Sequence, residues 1–264
     1  MSQEIGSDAV FQVQRDVEYG TRLFGDLYLP KAPGTHPALV AVHGGGWQVG
    51  DKDFYQHWGA YLAQRGYAVF AVNYRLMRDG RKMYPEAVQD VRAAVQFLHE
   101  KKTIDPQRIG LIGDSAGAHL AALVALAGDT RVKVFVGVYG VYDLAAQWEQ
   151  DLIRRPLDNI TQKFLGASLV QNRKLYFEAS PLSYATLDRN QTACLLACGT
   201  EDDIVDRRTQ TEAFMRALKQ AGFYVRPAIL PGAPHFWMSD PLDEAGSFTG
   251  ILAPQLTRFL QQRL

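Results

Sequence analysis

Ser115, Asp202 and His235 are the side chains of this sequence that could together attack a carbonyl carbon. A serine hydroxyl is a weak nucleophile at neutral pH. It needs a base within hydrogen-bond reach, and that base needs a carboxylate to orient it. Ser115 lies in Gly113-Asp114-Ser115-Ala116-Gly117, a G-x-S-x-G pattern. The apolar stretch Ile109–Ile112 precedes it, and a run dominated by Ala, Leu and Val follows from Ala116 to Ala127. A buried strand, a tight turn and a buried helix form the setting in which a serine is pushed out at a strand's carboxyl end. The amino end of the helix favours the negative charge that acyl transfer develops there.

The other two groups fall where such a serine needs them. His235 follows Val225–Leu230, which reads as the last strand, and Asp202 follows Ala193–Ala197. If both stretches are parallel strands of one sheet, their following loops leave the same edge as Ser115. Asp203 and Asp206 compete with Asp202 for the acid role. Upstream, Ala38–Val42 reads as a core strand that runs into His43-Gly44-Gly45-Gly46-Trp47. Consecutive glycines let backbone N–H groups turn toward a neighbouring loop without a Cβ in the way. Beside the serine turn they would act with the Ala116 N–H as donors to an oxyanion.

The elements that must hold these groups are legible as alternating strands and helices. Phe11–Tyr19 and Arg22–Leu29 read as an antiparallel pair at a sheet edge. Phe54–Gly66 carries apolar residues at helical spacing, Tyr67–Tyr74 is the next strand, and Tyr84-Pro85-Glu86 opens a helix through Phe97. Arg75 and Asp90 are expected to pair and hold the loop between them. Val132–Val141 is a further strand, Gln210–Ala221 an amphipathic helix and Ile251–Leu264 a terminal one. This pattern predicts an α/β protein, a mostly parallel doubly wound sheet in one domain over residues 1–264. Residues 142–186 interrupt it with short helical patches and are expected to form a small helical cap over the site, inserted before the strand that leads to the acid.

Composition narrows the partners. The 264 residues carry 28 Lys and Arg against 28 Asp and Glu, so no global field favours nucleic acid or an anionic membrane. Met1–Asp8 is polar and small with no apolar core of a leader, and no run is long enough to span a bilayer. The expectation is a soluble, unprocessed, cytoplasmic chain. Cys194 and Cys198, four apart in an apolar run, read as buried inert thiols on one face of a strand, too far apart to bond. No His, Cys and carboxylate cluster has ligand spacing, so neither metal nor organic cofactor is expected. His36 reads as a surface-loop residue, His57 and His99 as surface or helix-end residues, and His119 as packing. His43 and Asp114 read as braces of their loops.

The motifs His43-Gly44-Gly45-Gly46-Trp47, Tyr74-Arg75-Leu76, Gly113-Asp114-Ser115-Ala116-Gly117 and Gly232-Ala233-Pro234-His235 together resemble α/β-hydrolases. The likeness is to the BD-FAE-like and hormone-sensitive-lipase-like serine esterases, and it covers essentially the whole chain. It implies the α/β-hydrolase fold, with Ser115, Asp202 and His235 as triad and Gly45, Gly46 and Ala116 as oxyanion donors. The family spacing G-x-x-D-x-x-V selects Asp202, because Gly199 and Val205 bracket it. Ala118 stands where a glycine is common, the segment from Arg75 to Pro85 lacks the usual Ala-Pro-Glu, and the amino-terminal cap of hormone-sensitive-lipase relatives has no counterpart. The implied reaction is hydrolysis of a small-molecule ester, short-chain or aryl. Trp47, Trp148, Phe236 and Trp237 are expected to line its pocket. His43-Gly44-Gly45-Gly46-Trp47 equally fits the H-G-G-x-W signature of kynurenine formamidases, so an amide substrate is the alternative. A non-catalytic binding protein on the same fold is a third reading, disfavoured because all three triad members are present.

Overall fold

Ala38–Val42 and Ala68–Val72 hold no polar side chain, which a strand tolerates only when both faces are covered. In the computed structural model, which describes residues 10–78 and 80–264, the two are adjacent parallel strands and completely buried. The polar stretch Met1–Asp8 lies outside the described residues. The strands in chain order are β1 (Phe11–Gly20), β2 (Leu23–Pro30), β3 (His36–Val42), β4 (Ala68–Val72), β5 (Ile104–Asp114), β6 (Val134–Val138), β7 (Ala193–Gly199) and β8 (Val225–Leu230). They form one sheet ordered β1-β2-β4-β3-β5-β6-β7-β8, in which β2 alone runs against its neighbours.

Side chains alternate across this sheet with a period of two. Ala38, Val40 and Val42 of β3 join the core on one face, while Leu39 and Ala41 join that on the other. The first face is covered by α2 (Glu86–His99) and α3 (Ala116–Leu126). The second is covered by α1 (Gln56–Ala63), and by the carboxyl-terminal helix over Phe248–Arg263. This is the doubly wound architecture expected of an α/β-hydrolase. Each fully buried branched side chain contributes about 1.5–3 kcal/mol. The central strands rather than the half-exposed β1 therefore hold the carboxyl edge of the sheet rigid.

Residues 142–186 fold into α4 (Leu144–Arg154), α5 (Ile160–Leu165) and α6 (Arg173–Ala179). Each helix starts at a side-chain cap: Asp143 accepts from Ala145 N, Asn159 from Gln162 N and Asn172 from Leu175 N. After β7 come α7 (Ala213–Gln220), β8 and the terminal helix, α8 (Phe248–Arg263). Among the described residues no helix is long and apolar enough to cross a membrane.

Several boundaries differ from expectation for local reasons. β4 stops at Val72, before the expected Tyr74, because the next two side chains tie loops together. Asn73 accepts from Lys52 N and donates to Asp51, while the Tyr74 hydroxyl donates to His43 O at 3.0 Å. His36 is corrected from a surface-loop residue to a buried one. It opens β3, with Nε2 3.1 Å from Ala32 O. Cys194 and Cys198 are buried free thiols, and burial raises the thiol pKa of both.

Candidate active site

The turn between β5 and α3 forces Ser115 into φ 49° and ψ −120°, a conformation that costs a non-glycine residue about 1–3 kcal/mol. The chain tolerates it because α3 is drawn tightly onto the end of β3. A Cβ on Gly117 would lie 2.0 Å from Val42 O and 2.4 Å from His43 O, so only glycine allows that approach. Ser115 N donates to Val138 O at 2.9 Å, and Ser115 O accepts from His119 N at 3.2 Å. The hydroxyl makes no capping bond to the helix. It points instead at His235, with Oγ 3.0 Å from Nε2.

His235 is reached by the loop after β8, and Asp202 by the loop after β7. Their Nδ1 and Oδ2 lie 2.7 Å apart, and both side chains are about 1% exposed. A carboxylate only accepts, so Nδ1 carries the proton and Nε2 is left with its lone pair toward Ser115. Asp202 Oδ1 accepts from the N–H groups of Ile204 (3.0 Å) and Val205 (2.9 Å), which fixes the carboxylate's rotamer. Tyr139 packs against the imidazole at 4.4 Å between ring centres, and its hydroxyl accepts from Met238 N at 3.0 Å. Asp203 is exposed, and Asp206 turns its carboxylate to Thr209 N and Oγ1.

Gly45, Gly46 and Ala116 line the same cavity as Ser115 and His235. Gly45 has φ 108°, and a Cβ there would meet Val49 O at 2.1 Å. Its carbonyl accepts from Gln48 N and Val49 N, closing the turn. Among the described residues nothing accepts from the N–H of Gly45, Gly46 or Ala116, which leaves those three donors for a ligand.

Residues 25–218 match the family model of BD-FAE. The chain belongs to the BD-FAE family. It is 30% identical over 263 residues to a probable isoprenylcysteine alpha-carbonyl methylesterase of Oryza sativa subsp. japonica, an alignment covering 88% of this chain and 60% of that protein. It is 27% identical over 252 residues to the kynurenine formamidase of Danio rerio, covering 92% and 82%. Among solved structures it resembles carboxyl esterase 2 of Tuber melanosporum, with a TM-score of 0.77 and 26% identity over 99% of this chain and 90% of that one. The chain spans about half to three fifths of the length of the first curated relatives it matches.

In this BD-FAE member, three buried side chains brace the loops that meet at Ser115. Asp114 Oδ1 accepts from Gly44 N at 3.0 Å and from the Tyr55 hydroxyl at 3.1 Å, clamping the glycine loop to the serine turn. His43 donates from Nδ1 to Gly44 O at 2.7 Å and stacks on Tyr74, with 4.5 Å between ring centres. His119 does more than pack. It accepts from the Trp47 indole N–H at 3.2 Å and donates from Nε2 to Ala179 O at 2.8 Å. It thus ties the glycine loop to the end of α6. Burial lowers the pKa of both imidazoles to about 4, so each is neutral at pH 7.

Burial also pushes the Asp114 carboxyl up to about 6, against the bonds from Tyr55 and Gly44 that favour the anion. The sign of its effect on stability follows. The folded chain holds this proton to higher pH than the unfolded chain, whose value is 3.8, so Asp114 costs stability as pH rises from about 4 to about 6. Two pKa steps correspond to at most about 3 kcal/mol. Denaturant unfolding of the wild type and Asp114→Asn across that window should show wild-type stability falling relative to the variant; a constant difference would contradict this.

The cavity measures about 370 Å³. Of the four aromatic residues expected to line it, Trp47 and Phe236 do, with Trp47 buried and Phe236 66% exposed at its mouth. Trp148 and Trp237 do not and are corrected. Trp148 packs edge-on to Tyr176 and donates to Gln162 Oε1 within the helical segment. Trp237 is buried in the core behind the sheet, edge-on to Tyr139, and donates to Pro234 O. Phe236 has φ 63°, and that left-handed residue sends the chain back toward the core after one exposed ring. The sequence reading missed the opposite wall, to which α4 contributes Gln147 and Asp151, the residue after it Arg155, and α5 Ile160 and Thr161. The signal was the four-residue spacing of 147 and 151, which puts two polar residues on one face of α4, with Arg155 just beyond its end.

Proposed function

We propose that this chain is a serine esterase that cleaves small carboxylic esters through an acyl-enzyme. Ser115 is the nucleophile, His235 the base and Asp202 its partner. The observation that carries this reading is the continuous line of hydrogen bonds from Asp202 through His235 to Ser115, ending at an open cavity. His235 Nε2 takes the hydroxyl proton as Oγ bonds to the ester carbon. The N–H groups of Gly45, Gly46 and Ala116 receive the oxyanion, and Asp202 stabilises the imidazolium without taking its proton. The bond to the alcohol oxygen then breaks, and His235 protonates that oxygen as it leaves. Water gives a proton to His235 and attacks the acyl carbon. The bond to Oγ breaks, Oγ regains the proton, and the acid departs.

The names of the rice methylesterase and the Tuber carboxyl esterase support ester chemistry. Residues 142–186 act as a cap, in a single unit with the rest of the chain. A small-molecule substrate, no nucleic-acid or membrane partner and a cytoplasmic setting accord with the balanced charge and the two free thiols. The nucleophile and base are the chain's own, so hydrolysis by this route calls for no metal or organic cofactor.

The similarity to the zebrafish formamidase over most of both chains favours arylformamide cleavage as a second reading. The same site serves it, because His235 can protonate an anilide nitrogen as it leaves. Comparing kcat/KM on p-nitrophenyl acetate, p-nitrophenyl butyrate and N-formylkynurenine separates the two. Turnover of the esters with inactivity on the formamide is expected, and the reverse order would make the chain an amidase. Failure of a fluorophosphonate to label Ser115 would leave a binding protein on a hydrolase fold.

A further inference from the structure

The cavity beside Ser115 is walled largely by apolar side chains, among them Val49, Val141, Ile160, Ile204 and Val205. One wall breaks that character. Asp151, 2% exposed, holds Oδ2 on Thr161 N (3.0 Å) and Thr161 Oγ1 (2.8 Å), while its Oδ1 accepts from Gln147 Nε2 at 3.2 Å. The nearest approach of Arg155 to Asp151 is from Nε to the same Oδ1, at 3.6 Å. No side chain among the described residues accepts a hydrogen bond from the terminal nitrogens of Arg155, the exposed Asp158 carboxylate lies near enough to feel its charge, and its side chain is 30% exposed on the cavity wall. Beside it, the enclosed Gln147 Oε1 also has no donor among the described residues.

A buried carboxylate is costly unless its bonds are filled, and this one is filled almost entirely by the chain itself. Asp151 therefore has little left to offer a ligand. Its effect is to anchor a guanidinium at its Nε edge, leaving the two-pronged end on the cavity wall with only the exposed Asp158 as a second carboxylate nearby. That end matches a carboxylate in geometry and charge. A plain alkyl ester would leave it facing apolar atoms.

From this we infer that Arg155 is a specificity-determining residue and that the cavity selects esters whose non-reacting part bears a carboxylate. The inference rests on the serine-esterase reading of the same site. Asp151, Gln147 and Thr161 are positioning residues that act through Arg155.

Two matched pairs of substrates test it, one for each side of the ester bond. On the acyl side, the mono-p-nitrophenyl ester of glutaric acid is compared with p-nitrophenyl valerate. On the alcohol side, 4-(butyryloxy)benzoate is compared with phenyl butyrate. In at least one pair kcat/KM should favour the carboxylate by about tenfold to a hundredfold, the worth of one charge-assisted bond in an enclosed site. Arg155→Gln should bring that ratio to near one, Arg155→Lys should keep part of it, and Arg155→Glu should invert it. Inversion is a readout that a merely structural role would not produce. Fluorophosphonate labelling of Ser115 in every variant reports that the site is intact. Hydrolysis of the neutral esters with no carboxylate preference in either pair overturns this inference alone. Absence of hydrolysis in all four, with no labelling of Ser115, overturns it together with the esterase reading.

Discussion

Ser115→Ala lowers turnover of p-nitrophenyl butyrate by about 10⁴- to 10⁶-fold while leaving the melting temperature close to that of the wild type. The two halves of this expectation have separate physical grounds. In the proposed reaction the hydroxyl oxygen is the atom that bonds to the acyl carbon, so nothing replaces it. A serine at a helix start ordinarily accepts a bond from the first turn, and removing such a cap costs about 1 kcal/mol. Here the side chain makes no capping bond, and its described partner is the His235 imidazole. Its loss is a loss of chemistry rather than of fold. Steady-state rates with a thermal melt decide the matter. Near-normal turnover in the variant would remove Ser115 from the mechanism.

Asp202→Asn is expected to cost about 10⁴-fold in kcat, and Asp203→Asn almost nothing. The Asp202 carboxylate accepts at both oxygens, from Ile204 N and Val205 N on one side and His235 Nδ1 on the other. An amide in its place can keep the backbone bonds through its oxygen. Its NH₂ then faces Nδ1, and the imidazole avoids the clash of donors by moving its proton to Nε2. The lone pair that should receive the serine proton is gone. Asp203 sits one residue later with its side chain exposed, so its charge reaches His235 only through solvent. Kinetics of the two variants side by side test the assignment. A larger loss from Asp203→Asn would reverse it.

Much of this architecture was legible because it rests on local rules. Uninterrupted apolar runs such as Ala38–Val42 mark doubly covered strands, and a glycine-flanked serine between such a run and an apolar helix marks the tight turn. Asp202 and His235 follow from topology, since each comes just after a strand whose direction the alternation of helices dictates. What was not legible depends on which way a side chain turns once the chain has folded. Phe236 and Trp237 are adjacent aromatics of similar character, yet one is at the cavity mouth and the other in the core, because the backbone of Phe236 is itself left-handed. Gln147 and Asp151 of α4, and Arg155 just after it, become cavity residues only once α4 is laid across the site. His119 shows the same limit: its partners, Trp47 and Ala179, come from elements far away in sequence.

The backbone of Ser115 has one further consequence. Glycine adopts φ 49° at no steric cost, so Ser115→Gly would relieve the turn of its strain even as it removed the hydroxyl. Selection for heat resistance alone would then drift toward an inert protein at this position. Any programme that hardens this chain by random variation must score catalysis in the same round, or the best survivors will be the dead ones.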